Sequence, residues 1–256
     1  MVTFFLFIFG AIVGSFLNVV GLRFNSGISL QGRSFCFFCR KTLKWYELLS
    51  VVSFITQKGK CRGCKSKISW KYPLVEVWTG LVFATVVNFQ LSIFENLLLL
   101  VVFSLFIVIT IYDLRHKIIP DRLVYPAIIL SFAFGVLIGR RSLIDWMAGP
   151  ILFAFFALIW ALSRGRAMGF GDAKLALAIG LLIGLPQGLS ALALSFWIGM
   201  VATLAFMAVV RSYPLFGLYK RLTMKSEIPF APYLVLGAWL SFIFHLDIFN
   251  VAQFIQ

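Results

Sequence analysis

Residues 1–22 read MVTFFLFIFGAIVGSFLNVVGL, a run with no Lys, Arg, Asp or Glu. It fills the roughly 20 apolar residues that a helix needs to cross the hydrocarbon of a bilayer. No basic segment precedes it, so it reads as a retained first membrane helix and not as a signal peptide. The rest of the 256-residue chain has the same character, at 61% hydrophobic and 12% charged. A soluble domain is nearer half apolar and a quarter charged, which sets the class as an all-α polytopic membrane protein. Hydropathy marks about eight transmembrane helices, near 3–22, 74–92, 97–113, 122–139, 143–162, 173–186, 188–210 and 231–250. The expected organisation is a first transmembrane helix (1–22), a cytoplasmic four-cysteine loop (23–72) and a transmembrane core (73–256).

The net charge of +14 is distributed unevenly. With residues 23–72 on the cytoplasmic side and the spans alternating, 21 of the 23 Lys and Arg fall inside. Only Arg140 and Arg141 fall outside, as the bias of basic residues toward cytoplasmic loops requires. The basic balance is thus a topology signal, with attraction to anionic inner-leaflet lipid as a side effect. Nucleic acid is not an expected partner.

That topology gives depth to the nine acids. Glu95, Asp145 and Asp247 fall on the outer side. Asp113, at the end of the third span in FIVITIYDLRHKIIPDRL (106–123), falls at the inner interface. Asp172, in AMGFGDAKLALA (167–178), falls at the same depth. Two carboxyls on one small site resist ionising together and can hold a proton between them. That is the requirement of an aspartic protease, in which one carboxylate activates water and the other, protonated, polarises the scissile carbonyl. Gly169 and Gly171 are expected to let the backbone turn sharply and lie close to a bound peptide. Lys174 is expected either to snorkel to the interface or to tune the neighbouring acid. Each aspartate alone also reads as a helix-terminal residue, and Asp121, after Pro120, reads as the N-cap of the fourth span.

All four cysteines lie in the cytoplasmic segment as CFFC (Cys36, Cys39) and CRGC (Cys61, Cys64). Two C-x2-C knuckles supply four thiolates to one tetrahedral ion, a closed structural zinc site. Iron takes the same ligand geometry. A cytosolic setting disfavours disulfides, and the absence of a βαβ pattern disfavours a redox motif. A loop this short draws much of its folding energy from the metal.

These motifs together resemble the bacterial type IV prepilin peptidases, bifunctional leader peptidase/N-methyltransferases. The resemblance rests on GSFLNVV before Arg23, the knuckles, WYELL around Glu47, ISWKYPLVE ending at Glu76, YDLRHKIIPD, MGFGDAKLALA and IPFAPYLVLGA. The first knuckle lacks the family's common proline, and Ser50 stands where proline is frequent. The resemblance implies that Asp113 and Asp172 are the catalytic pair. It implies a prepilin or pseudopilin substrate, with a short basic leader, cleavage after a glycine, and an apolar helix. It also implies N-methylation of the new terminus from S-adenosylmethionine, because the cysteine loop is retained. Candidates for the methyl-donor site are Glu47, Glu76, Gly14 and Asn18, each of which also reads as packing or interfacial hydrogen bonding. Two other classes remain open at this point. One is an intramembrane aspartyl protease of the presenilin type, without methylation; the other is a transporter using the acids as a proton path.

Overall fold

The computed structural model describes residues 1–27, 29, 32–36, 38–44, 47, 50–87, 90–139, 142–212 and 229–247. Arg140, Arg141, Lys220, Arg221 and Lys225 of the charge distribution lie outside the described residues, as does most of WYELL apart from Glu47. Nine helices are present among the described residues: α1 (Val2–Arg23), α2 (Ser50–Thr56), α3 (Lys71–Val86), α4 (Ile93–His116), α5 (Asp121–Ile138), α6 (Leu143–Ser163), α7 (Phe170–Ile183), α8 (Leu185–Ser212) and α9 (Ala231–Phe244). The only strand-like pairings among them are the isolated bridges Phe35–Thr42 and Lys60–Lys67. The all-α architecture expected from the sequence holds.

Among the described residues the structure leaves the expectation of eight spans unconfirmed. Eight apolar helices are present, but by length and composition five can cross a membrane: Val2–Arg23, Ile93–His116, Asp121–Ile138, Leu143–Ser163 and Leu185–Ala208. Helix α3 has 16 residues, and α7 and α9 have 14 each. At about 1.5 Å per residue these are roughly 21–24 Å long, short of a hydrocarbon core of about 30 Å. Helix α7 has a second reason to be short. It ends at Gly184, whose φ of +81° is a left-handed conformation that favours glycine.

The chain forms two compact units, Met1–Tyr112 and Asp113–Gln256, with the division inside α4. In the first unit α1 packs on α3 through glycines. A Cβ on Gly10 would lie 2.7 Å from the Cβ of Phe83, and one on Gly14 would lie 2.8 Å from the Thr79 hydroxyl. Small residues let apolar helices approach this closely where lipid offers no hydrophobic drive.

In the second unit α7 is the central helix. It packs against α5, α6, α8 and α9, and Ala173, Ala176, Ala178 and Gly180 are among its buried residues. A Cβ on Gly180 would lie 2.7 Å from backbone atoms of Ala148 and Gly149 in α6. A helix buried on nearly every side is a core element and has no need to match the bilayer. Helix α9 lies equally close to α8, since a Cβ added to Gly237 would collide with the Ala191 carbonyl oxygen.

Backbone cannot move aside as a flexible side chain can. Gly237→Val is therefore expected to destabilise the protein by about 1–3 kcal/mol. Thermal unfolding in detergent measures it, and an unchanged midpoint would show that α8 and α9 are not so closely apposed.

Candidate active site

Asp172 occupies the third position of α7, after Gly169 at the N-cap and Phe170 and Gly171 in the first turn. Its carboxylate lies over the Gly169 cap, whose backbone amide acts on it electrostatically. A carboxylate three residues into a helix, reaching back to the cap, meets otherwise unpaired amides and the positive end of the helix dipole. Asp113 sits in the last turn of α4, where a carboxylate faces the negative end of its own helix. Its compensation comes from a different helix. The backbone N–H of Ala231, first residue of α9, donates to Asp113 Oδ2 at 3.1 Å.

Both aspartates are buried, and both line one cavity of about 960 Å³. They are close enough to interact electrostatically. Phe196, Met200 and Leu204 of α8, with Phe230 and Tyr233 at the start of α9, make an apolar wall. Phe230 stacks near Phe196, with ring centroids 5.2 Å apart. Lys117 and Arg166 supply the cationic part of the lining, and His116 lies in the same wall. Geometrically, the cavity offers two carboxyl groups to a polar centre beside a long apolar surface.

Neither Gly169 nor Gly171 has a positive φ. What distinguishes Gly171 is close approach, because a Cβ there would lie 2.7 Å from the Cβ of Ile119. A Cβ on Gly169 would meet Asp172 Oδ2 at 3.5 Å, ordinary contact.

Lys174 points to a different partner from the one expected. Its Nζ lies 2.6 Å from Asp121 Oδ1, and 5.0 and 5.3 Å from the ring centres of Tyr125 and Phe170. Asp121 is not an N-cap; Pro120 holds that position, and Asp121 is the first residue of α5. Together they tie α5 to the first turn of α7, the turn that carries Asp172. The sequence reading also gave no role to the Phe230–Ala231 step of IPFAPYLVLGA, although that step supplies the donor to Asp113. Its signal was a Pro–Phe–Ala–Pro entry into an apolar helix, whose first amides have no partner within the helix.

The four cysteines converge in the first unit, with their sulfurs all within 4.8 Å of one another. The Sγ atoms of Cys36 and Cys64 are 3.8 Å apart. Zn–S bonds of about 2.3 Å in a tetrahedron place sulfurs roughly 3.8 Å apart, so the cluster fits a four-thiolate ion. The two knuckles share one geometry. Arg40 N–H donates to the Cys36 carbonyl at 2.8 Å, and Lys65 N–H donates to the Cys61 carbonyl at 3.0 Å. Each donor residue has a left-handed φ, +56° and +60°. The Cys36 thiol is drawn down to about 6, chiefly by the backbone N–H of Cys39. Cys64 is drawn down by Ser66, whose Oγ lies 3.1 Å from its sulfur. Both shifts favour thiolate, the ligand form, whereas Cys39, beside the other three sulfurs, is pushed up to about 11.

The four methyl-donor candidates separate. Asn18 and Glu47 line a second cavity of about 330 Å³, whose wall also includes Cys36 and Cys61. Glu76 and Gly14 do not line it. The Glu76 carboxylate accepts from Val51 N–H at 2.9 Å, in the first turn of α2, and is 1% exposed. Gly14 is the contact between α1 and α3.

Comparison with known proteins follows this division of the chain. Residues 8–89 match the bacterial peptidase A24 N-terminal domain, and residues 99–204 match the type IV leader peptidase family. A prepilin leader peptidase/N-methyltransferase of Bacillus subtilis (strain 168) is 35% identical over 248 residues, 93% of either chain. Its namesake in Aeromonas hydrophila is 29% identical over 92% of this chain and 88% of its own. That of Klebsiella pneumoniae is 31% identical over 72% of this chain and 88% of its own. No solved structure matches.

The buried bond from Val51 to Glu76 gives Glu76 a structural load. Glu76→Ala is expected to lower stability by about 1–3 kcal/mol, the cost of an orphaned buried donor. Thermal unfolding of the detergent-solubilised protein reads it; an unshifted midpoint would return Glu76 to the list of ligand-binding groups.

Proposed function

This chain belongs to the type IV leader peptidase family, and we propose that it cuts the leader from type IV prepilins or pseudopilins and methylates the new N-terminus. The observation that carries the peptidase half is the meeting of Asp113 and Asp172 on one cavity wall beside an apolar surface. The distribution of Lys and Arg supports a bacterial cytoplasmic membrane protein with the cysteine loop and this cavity on the cytoplasmic side.

In the proposed mechanism one aspartate is ionised and the other protonated. The ionised carboxylate takes a proton from water as the oxygen attacks the scissile carbonyl carbon, while the protonated carboxyl donates to the carbonyl oxygen. The tetrahedral diol then collapses, the C–N bond breaks, and the pair delivers a proton to the leaving amine. Ala231 N–H holds the Asp113 carboxyl, and the N-terminal turn of α7 positions that of Asp172. The side chains of α8 and Phe230 bury the apolar stem of the substrate and exclude bulk water from the reacting bond. Lys117 and Arg166 repel a basic leader, so recognition rests on the glycine, the apolar helix and an acidic substrate side chain such as glutamate.

The four thiolates hold a structural zinc ion that fixes the two knuckles to each other. When bound, S-adenosylmethionine would supply the methyl group, which replaces a proton of the free amine and leaves S-adenosylhomocysteine. The curated relatives carry both activities in their names. Retention of all four cysteines agrees with methylation here.

Asp113→Asn and Asp172→Asn are each expected to lower prepilin cleavage by about 10²–10⁴-fold or more, with the thermal midpoint retained. A gel-shift assay of leader removal measures this, and normal cutting by either folded variant would remove the acid pair from the mechanism. Elemental analysis is expected to find one zinc per chain, lost in Cys61→Ser. Zinc retained by that variant would show that the thiolates are not its ligands.

A further inference from the structure

Lys174 and Asp121 lie close to the two acids in sequence but outside the lining of their cavity. Asp121 follows Asp113 by eight residues, and Lys174 follows Asp172 by two. The stretch from Asp113 to Asp121 includes Lys117, Ile118 and Ile119 of the cavity wall. Ile119 is also the residue that Gly171 approaches closely. Lys174 Nζ meets Asp121 Oδ1 at 2.6 Å and lies 5.0 and 5.3 Å from the ring centres of Tyr125 and Phe170. Its side chain is only 16% exposed, so the cation is enclosed by one carboxylate and two rings. Phe170 opens the turn that carries Asp172 and does line the cavity. It packs in turn on Phe153 and Trp160 of α6, with ring centroids 5.8 and 5.0 Å away. Residues two apart on a helix are separated by about 200° and do not face each other. Lys174 therefore acts on Asp172 through the turn they share.

We infer that Lys174 and Asp121 are positioning residues for cleavage. Their ion pair, packed on Phe170 and Tyr125, fixes the first turn of α7 to the segment that follows Asp113 and so sets the spacing of the two acids. The inference rests on the peptidase half of the proposed function and adds two residues to it. A proton shared by two carboxyls is sensitive to their separation, because the interaction between the groups changes with distance. Asp172 takes its place from the first turn of a helix, and helix ends fray unless something ties them down. A solvated ion pair would tie little, since two long side chains must be ordered to form it. Here the two rings beside Nζ help to hold the cation in place.

Steady-state cleavage of a prepilin by the purified full-length protein in detergent, with kcat and KM resolved, tests this. Lys174→Met and Asp121→Asn are each expected to lower kcat about 10–100-fold, the scale of a misplaced catalytic group, with KM within about twofold of the wild type. The double variant is expected to fall no further than either single one, because the two residues act as a unit. Lys174→Arg, which keeps the cation, is expected to recover part of the rate. A pair that served stability alone would lower the thermal midpoint and leave the kcat of the folded enzyme unchanged. Wild-type kcat in both single variants therefore overturns the inference while leaving the peptidase reading intact. A loss confined to KM overturns it as well, since the pair would then belong to substrate binding. A wild type that does not cut prepilin overturns the peptidase reading, and the inference with it. Should the single variants fail to fold, Asp121→Glu decides, because it keeps both charges and shifts the carboxylate by one methylene. A kcat lowered severalfold at the wild-type thermal midpoint supports the inference, and an unchanged kcat overturns it.

Discussion

Two carboxyl groups must be held on the wall of a cavity whose other surfaces are largely hydrocarbon, and unpaired buried charge of this kind is expensive. Here it is met by backbone. Asp172 uses the first turn of its own helix, and Asp113, placed at the unfavourable end of α4, borrows the first amide of α9. Helix N-termini always have amides to spare. The Ala231 amide is aimed at Asp113, and Asp172 sits among the amides that the first turn of its own helix leaves unpaired.

That arrangement depends on how closely the helices of the second unit approach. Gly171 lets the first turn of α7 lie against Ile119, Gly180 lets α7 lie against α6, and Gly237 lets α9 lie against α8. Lys174 then joins that same first turn to α5 through Asp121 and the rings of Tyr125 and Phe170. In the first unit the constraint is different. A loop with a small apolar interior gathers its knuckles so that four sulfurs lie within 4.8 Å of one another, a set that fits one ion.

Composition made the all-helical membrane class legible, because a 61% apolar chain has few other ways to satisfy its backbone. The spacing of the cysteines also pointed to their cluster. Shared depth singled out Asp113 and Asp172, 59 residues apart in sequence. What hydropathy did not convey was helix length, since a window of apolar residues looks alike whether lipid or protein surrounds it. Helices α3, α7 and α9 read as spans on hydropathy alone, and at 14 to 16 residues they are shorter than the other five. Tertiary partners were equally hidden. The bond from Ala231 to Asp113 joins residues 118 apart, and the pairing of Lys174 with Asp121 joins residues 53 apart. Local rules assigned Asp121 to a cap, and a side-chain partner on another helix overrode them.

The account stands on one hydrogen ion shared by two acids during cleavage. Its most direct measurement is the pH dependence of prepilin cleavage by the purified wild-type enzyme under substrate-limited conditions. A rate that falls on both the acid and the alkaline side is expected, because the reaction needs one carboxylate and one carboxylic acid and the two limbs belong to the pair. A rate that stays level from acid through alkaline pH would contradict it.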